Sequence, residues 1–194
     1  MIVIKDDIIP LDLQDYYHTL VFGNNNVNAM LPLVCKYEPT AYDGNILPVS
    51  FEHVLKSSTK LTEHYGNFSK VPQIVCANLD INLIDIIAAR LFITVPHKTS
   101  LEHYAPHTDR PEEHLGLIYY LNDSDGDTVF FENEKIIERV SPKKGRIVLF
   151  DGNTLHAGGY PTDKPRCIVN YNIYAWASPH LRIKLAPMSA PDVL

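Results

Sequence analysis

Residues 114–176 alternate between short apolar runs and turn sequences, and this pattern constrains the fold more than any other feature of the chain. The runs are rich in β-branched and aromatic residues, while Gly, Pro, Asn and Asp concentrate between them, as in DSDGD and SPKKG. Many short strands at such close spacing predict a β-sandwich or barrel. The predicted strands are residues 114–122, 127–132, 135–141, 145–151, 155–159 and 166–176.

Two earlier segments have other patterns. Residues 83–96 fit a helix or a strand, but the β-branched residues that precede Pro96 favour a strand over the second half. The spacing of apolar residues in residues 49–68 predicts a helix, with Ser50 as its N-cap and Gly66 at its end. The chain is therefore expected to be mainly β with supporting helices.

The length of 194 residues fits one domain. We expect this domain to comprise a helical or mixed N-terminal support (1–80), a β core (81–178) and a C-terminal tail (179–194) that offers little apolar surface to pack.

Charge and cysteine content disfavour several classes of protein. The net charge is −6 and the pI is about 5.8, with no Lys/Arg run longer than Lys143-Lys144, which weighs against a nucleic-acid partner. The three cysteines form no CxxC pair, which is typical of reduced thiols. The apolar run at the N-terminus is too short for a signal peptide, and no stretch approaches the ~20 residues that span a bilayer. The sequence thus predicts a cytoplasmic protein without a membrane segment.

The segment YAPHTDRPEEH places His107 and Asp109 one residue apart, ahead of a predicted strand. Pro106 and Pro111 bracket the pair and exclude a helix. In extended chain the two side chains project to the same side and can chelate one ion. In a chain with nine histidines, an H-x-D match in an exposed loop is the plain alternative.

A third ligand is expected from a distant strand, and His156 follows the apolar run GRIVLF. Two histidines and a carboxylate on a β-scaffold form the ligand set of non-haem Fe(II) oxygenases. Arg166 lies ten residues further on and begins the last predicted strand. An arginine there is usually a solvated charge, but in a pocket its planar fork binds a carboxylate with two hydrogen bonds.

The order H-x-D, then His, then a basic residue resembles the Fe(II)/2-oxoglutarate-dependent dioxygenases. The resemblance is to their prolyl 4-hydroxylase-like branch, including its small bacterial and phage-encoded members. It covers residues 85–176, whereas the first 80 residues match no motif of the family. The motifs that carry it are YAPHTD, HLGLIYYLNDSDGDT, VSPKKGRIVLFDGNTLHAG and RCIVNYNIYA.

This resemblance implies a double-stranded β-helix, the cupin-like jelly roll, and a hydroxylase that uses Fe(II), 2-oxoglutarate and O2, with ascorbate as an optional reductant. It implies that His107, Asp109 and His156 are both the metal ligands and the catalytic centre. Arg166 would then bind the far carboxylate of 2-oxoglutarate. The substrate would be a peptide, such as one with prolyl residues, or a small molecule.

Four further residues are candidates for the cosubstrate pocket. Tyr104 and Tyr120 match positions of the family that often line this pocket, although aromatic residues in strands are usually core. If Arg166 faces a pocket, alternation places Asn170 and Asn172 on the same face of the strand. Their other interpretation is an edge strand with one wet face.

Two rival functions keep part of this pattern. A metal-binding jelly roll with zinc, nickel or manganese, acting as a hydrolase or isomerase, would keep the three ligands but has no need of Arg166 in the pocket. A catalytically silent binding module would keep the fold alone.

Overall fold

The computed structural model describes residues 1–36 and 49–177 of the chain. The turn sequence YDGN at 42–45 and the tail at 179–194 lie outside these ranges. In chain order the elements are β1 (Ile2–Lys5), α1 (Leu11–Phe22), β2 (Val34–Lys36), β3 (Ser50–Lys56), α2 (Tyr65–Phe68), α3 (Lys70–Asn78), β4 (Ile81–Thr94), β5 (Leu115–Tyr120), β6 (Thr128–Glu132), β7 (Lys135–Val140), β8 (Ile147–Asp151), β9 (Leu155–Gly158) and β10 (Arg166–Ala177).

The strands form two antiparallel sheets. The major sheet has the order β1-β8-β5-β10-β4-β3-β2, and the minor sheet has the order β7-β6-β9. After β5 the chain crosses to the minor sheet for β6 and β7, returns for β8, crosses again for β9 and returns for β10. As a result β5 pairs with β8 and β10, while β6 pairs with β9. This is the double-stranded β-helix, and the predicted mainly β fold with supporting helices is confirmed.

The two faces of the major sheet bury different side chains because successive residues of a strand point to opposite sides. On the outer face the ring of Tyr17 in α1 stacks on Phe68 at 4.9 Å and meets Tyr119 of β5 edge-on at 5.9 Å. The hydroxyl of Tyr171 in β10 donates to the carbonyl of Phe68 at 2.9 Å. The helices therefore cover the outer face of the sheet.

The inner face of the major sheet is turned toward the minor sheet. Tyr120, Phe150 and Ile168 of the major sheet share an apolar cluster with Phe130 of β6. Every residue of β5 is buried, which explains why its sequence, LGLIYY, is continuously apolar rather than alternating. The pocket described below opens between the two sheets.

The helix predicted over residues 49–68 is wrong except at its last four residues, Tyr65–Phe68, which form α2. Residues 50–56 form β3, which pairs with β4 through partners such as Phe51 and Ile93. Alternation fits the same residues, since Phe51 and Leu55 pack on the outer-face core while Ser50 lines the pocket. Pairing with β4 satisfies the backbone and outweighs local helical spacing. Gly66, predicted to end a helix, lies within α2.

The strand predicted for the second half of residues 83–96 extends over the whole segment. β4 runs from Ile81 to Thr94 and pairs along its length with β10.

Among the described residues, no helix has both the length and the hydropathy needed to cross a membrane.

A cluster of charged residues joins the end of β1 to the turn before β8. The carboxylate of Asp6 accepts hydrogen bonds from Nε and Nη2 of Arg146, at 2.7 and 3.0 Å, and from Nζ of Lys143 at 2.9 Å. The hydrogen bond from Arg146 is the main cause that holds the pKa of Asp6 well below its usual range.

We predict that Asp6→Asn lowers the free energy of unfolding at pH 7 by about 1 kcal/mol, the upper end for partly exposed ion pairs. Because the pKa of Asp6 is lower in the folded state, its contribution is present above the ordinary value of about 4 and is lost as the pH falls below it. Urea unfolding at several pH values measures this. Asp7→Asn is the matched control, and a deficit of equal size at pH 3 and pH 7 would contradict the prediction.

Candidate metal centre

Two histidines from distant parts of the chain are paired by their backbones. The amide of His107 donates to the carbonyl of His156 at 2.9 Å, and the amide of His156 donates back at 3.0 Å. This isolated antiparallel bridge sets the two side chains next to each other, with 4.9 Å between the ring centroids. Asp109, two residues along from His107, projects to the same side.

The three side chains converge on one point. Oδ1 of Asp109 lies 3.7 Å from Nε2 of His107 and 3.9 Å from Nε2 of His156. One donor atom from each residue lies within 4.8 Å of the others, in the arrangement that can hold a single metal ion. His156 is buried, whereas His107 is half-exposed, so the cluster is open on one side. His97, His103 and His114 are not part of this cluster.

Carbonyl groups determine which nitrogen of each imidazole faces the cluster. Nδ1 of His107 lies 3.1 Å from the carbonyl of Ala105, and Nδ1 of His156 lies 3.0 Å from that of Thr154. A carbonyl only accepts, so in the neutral imidazole each Nδ1 carries the proton. The lone pair of each Nε2 is therefore directed to the point shared with Asp109, as in metal-binding histidines.

Two asparagine amides hold the carboxylate of Asp109. Nδ2 of Asn170 and Nδ2 of Asn172 donate to the same oxygen, Oδ2, at 2.8 and 2.7 Å. Oδ1 is left for the ligand cluster. Both asparagines line the pocket, on the face that alternation along β10 predicts, while Tyr171 between them packs in the outer-face core. Contact of these asparagines with the cosubstrate stays a prediction; in the structure their amides contact Asp109.

The electrostatic environment keeps two of the three ligands, Asp109 and His156, deprotonated at neutral pH. Burial by itself would raise the pKa of Asp109, but the adjoining imidazoles and asparagine amides hold that pKa well below its usual range. The nearby carboxylate raises the pKa of His107, and burial lowers the pKa of His156. At neutral pH the cluster therefore contains one carboxylate and a neutral, buried imidazole as ready donors.

Arg166 is a buried cation in the same pocket. Arg166 is the first residue of β10. Its Nε donates to the carbonyl of Gly126 at 2.9 Å, and its Nη2 donates to Oγ1 of Thr128 at 2.7 Å. It is only 5% exposed, and no carboxylate in residues 1–36 and 49–177 pairs with it. A buried charge left uncompensated costs about 3–5 kcal/mol, which an anionic ligand would offset.

The two tyrosines expected at the pocket differ in position. Tyr104 lines the pocket, and its ring lies 4.4 Å from that of Tyr160. Tyr120 is fully buried and is not among the lining residues of the pocket; its hydroxyl lies 2.5 Å from Oγ1 of Thr128, and the centre of its ring lies 5.9 Å from Cζ of Arg166. Tyr120 thus supports the residue that holds Arg166. Sequence reasoning missed Thr128, although alternation with the inward-facing Phe130 could have indicated it.

The pocket between the sheets has a volume of about 470 Å³, within the range of small-molecule sites. It contains both the ligand cluster and the guanidinium of Arg166. Its remaining lining includes Ser50, Ala88, Arg90, Phe92, Thr94, Tyr104, Thr108, Arg110, Ile118, Thr128, Gly158, Ile168, Asn170 and Asn172.

Solved structures with this fold are similar to the chain at low identity. A prolyl-4-hydroxylase from Pseudomonas putida is 14% identical, with a TM-score of 0.57 over 89% of this chain and 91% of that one. A prolyl hydroxylase from Trichoplax adhaerens, solved with a peptide fragment of the hypoxia inducible factor oxygen degradation domain, is 15% identical, with a TM-score of 0.58 over 89% and 83%. The non-heme alpha-ketoglutarate-dependent epimerase SnoN of nogalamycin biosynthesis is 13% identical, with a TM-score of 0.61 over 100% and 88%.

At these identities the structural likeness speaks for the fold alone, and no curated protein sequence matches the chain. The match in sequence is narrower and more informative. Residues 95–174 match the family model of the 2OG-Fe(II) oxygenase superfamily, and this segment includes the His-Asp-His cluster and Arg166. This match indicates a 2-oxoglutarate-dependent dioxygenase with Fe(II), 2-oxoglutarate and O2 as its cofactors.

Proposed function

We propose that the chain hydroxylates a C–H bond, and that His107, Asp109 and His156 hold the Fe(II). Two imidazoles and one carboxylate are the ligand set of non-haem Fe(II) oxygenases, and they leave positions on the metal open. The hydrogen bonds of Nδ1 orient both Nε2 lone pairs, and the two hydrogen bonds that Oδ2 of Asp109 accepts orient its Oδ1.

One observation carries the proposal: the pocket that contains the ligand cluster also contains a buried guanidinium without a carboxylate partner among the described residues. Arg166 would bind the far carboxylate of 2-oxoglutarate through its two terminal nitrogens. Gly126 and Thr128 orient this guanidinium, and Tyr120 fixes the Thr128 hydroxyl in turn.

Bound Fe(II) supplies the oxidative chemistry, in which 2-oxoglutarate and O2 give succinate and CO2 while one oxygen atom enters the substrate. The chain supplies position and shielding. Phe130 and Phe150 pack beside His156, with the ring of Phe150 4.8 Å from the imidazole, and they exclude water from the inner side of the cluster. Substrate would enter from the side where His107 is half-exposed.

For the substrate, we propose prolyl residues of a peptide or protein as one candidate, which the prolyl hydroxylases among the similar folds support. A small molecule is the second candidate, since the epimerase of nogalamycin biosynthesis has the same fold. The rival metal-binding jelly roll without 2-oxoglutarate chemistry leaves the burial of Arg166 without a reason.

Replacing a metal ligand tests the cluster. We predict that Asp109→Ala or His107→Ala weakens Fe(II) binding by about 100-fold or more. The reason is that losing even a residue that only hydrogen-bonds to a metal ligand weakens metal binding by about 10–100-fold. Anaerobic Fe(II) titration measures this loss, and succinate formation measures its effect on turnover. His18→Ala, in α1 on the outer face, is the control. Unchanged Fe(II) affinity would remove the residue from the site.

Replacing Arg166 tests the cosubstrate anchor. We predict that Arg166→Gln raises the Kd of 2-oxoglutarate at least about 30-fold, since losing one partner of a buried charge pair costs about 2–5 kcal/mol. Equilibrium binding to the Fe(II)-loaded, anaerobic protein measures it, with the exposed Arg139→Gln as control. If the Kd stays the same, the rival jelly roll without 2-oxoglutarate becomes the better account.

Replacing Asn172 tests the support of Asp109. We predict that Asn172→Leu weakens Fe(II) binding by about 10–100-fold and lowers the stability of the metal-free protein by about 1–3 kcal/mol. The reason is that a buried carboxylate loses one of its two amide donors. Fe(II) titration and urea unfolding measure the two effects. Asn82→Leu, at an exposed position of β4, should show neither.

A further inference from the structure

The pocket holds more positive charge than one cosubstrate anchor requires. Although the chain has a net charge of −6, Arg90 and Arg110 line the same pocket as Arg166. Arg166 is opposite Thr94 in the β4–β10 pair, so Arg90 lies four residues away along β4, roughly 14 Å at the Cα atoms. A five-carbon dicarboxylate spans only about 5 Å between its carboxyl carbons, given C–C bonds of ~1.5 Å. The backbones of Arg166 and Arg90 therefore lie near opposite ends of the pocket.

Arg90 is only weakly compensated. Its nearest carboxylate is that of Glu52, with 3.6 Å between Nη1 and Oε1, which is longer than a hydrogen bond. Glu52 pairs more closely with Lys36, at 3.1 Å. Half of the Arg90 side chain is exposed. Within the described part of the chain, one carboxylate thus faces two cations at this edge of the pocket.

The guanidinium of Arg110 has terminal nitrogens that are available to a ligand. Its Nε lies 3.3 Å from Oε2 of Glu112, but without the alignment of a hydrogen bond. Glu112 is 63% exposed, so water screens this pair. The two terminal nitrogens of Arg110 have no hydrogen-bond partner among the described residues. They form the side of the fork that binds carboxylates.

Next to the metal ligand Asp109, Asn170 has a side-chain oxygen without a hydrogen-bond donor among the described residues. Asn170 is opposite Arg90 in the β4–β10 pair. Its Nδ2 must face Asp109, because a carboxylate only accepts, and its Oδ1 is consequently directed elsewhere. That oxygen is buried and has no hydrogen-bond partner within the described ranges. A buried acceptor of this kind calls for a donor from a ligand.

We propose that Arg90 and Arg110 bind the carboxylate of the substrate to be hydroxylated, while Oδ1 of Asn170 accepts a hydrogen bond from its N–H. The substrate class is then a free amino or imino acid, which carries a carboxylate beside an N–H donor. An internal residue of a peptide lacks that carboxylate. This inference rests on the proposed function and narrows it to small acids, for which a pocket of about 470 Å³ has room beside 2-oxoglutarate.

The test uses the full chain with Fe(II), 2-oxoglutarate and O2. The probes are the twenty free L-amino acids of proteins, each compared with its primary amide. In each turnover R–H, 2-oxoglutarate and O2 become R–OH, succinate and CO2. We expect at least one acid to accelerate succinate formation and to gain one oxygen by mass spectrometry, while its amide does neither.

Variants then locate the recognition. In Arg90→Gln and Arg110→Gln we expect the KM for the acid to rise at least about tenfold relative to the KM for 2-oxoglutarate, because the fork and its charge are lost. Arg110→Lys should show a smaller rise, since it keeps the charge and loses the fork. Lys135→Gln, an exposed cation on β7 outside the pocket, is the control.

Three results would overturn the inference: amides that work as well as acids, a panel in which no acid gains oxygen, or a KM ratio that the arginine variants leave unchanged. Succinate formed without any added acid reports separately on the proposed function. If it is present and the acids have no effect, only the inference fails. If the wild-type protein never forms succinate, the proposed function fails as well.

Discussion

The site depends on the two backbone hydrogen bonds between His107 and His156. Without this bridge the residues belong to separate segments, and neither alone binds a metal ion tightly. With it, two imidazoles lie side by side and Asp109 reaches the same point from two residues along. The bridge is short, but β9, which contains His156, is itself paired with β6 within the minor sheet. The paired strands therefore hold the ligand cluster in a fixed geometry.

β10 connects this cluster to the core. Its odd-numbered residues from Cys167 to Ile173 pack in the outer-face core beneath the helices. Its even-numbered residues face the pocket and have different roles. Arg166 lies at one end of this row, and the asparagines that hold Asp109 lie at the other. Any slip of register by one residue would exchange the two faces. Packing of the apolar face therefore also holds the polar face in place.

How far the sequence predicted the molecule differs between regions. The strands after residue 114 follow from alternation and turn chemistry, both of which act locally, and they are found close to their predicted bounds. The helix expected over 49–68 fails at β3, where pairing with β4 decides the outcome. Tyr120 has the burial expected of an aromatic residue in a strand, but it contacts Thr128 and Arg166 rather than lining the pocket. Which layer of the pocket a side chain occupies depends on the opposite sheet, which local sequence does not encode.

The sequence alone determined the residue types and their order: an H-x-D pair in extended chain, a later histidine, an arginine, and a strand with one polar face. These follow from short-range rules, because backbone periodicity and turn propensity act over a few residues. Only the tertiary structure decided that Oδ2 of Asp109 is held by two amides, that Arg166 is buried without an acidic partner among the described residues, and that Arg90 lies opposite Asn170. The reason is physical: burial, ion pairing and cross-strand contacts arise between residues far apart in the chain, and they exist only once the two sheets have closed on each other.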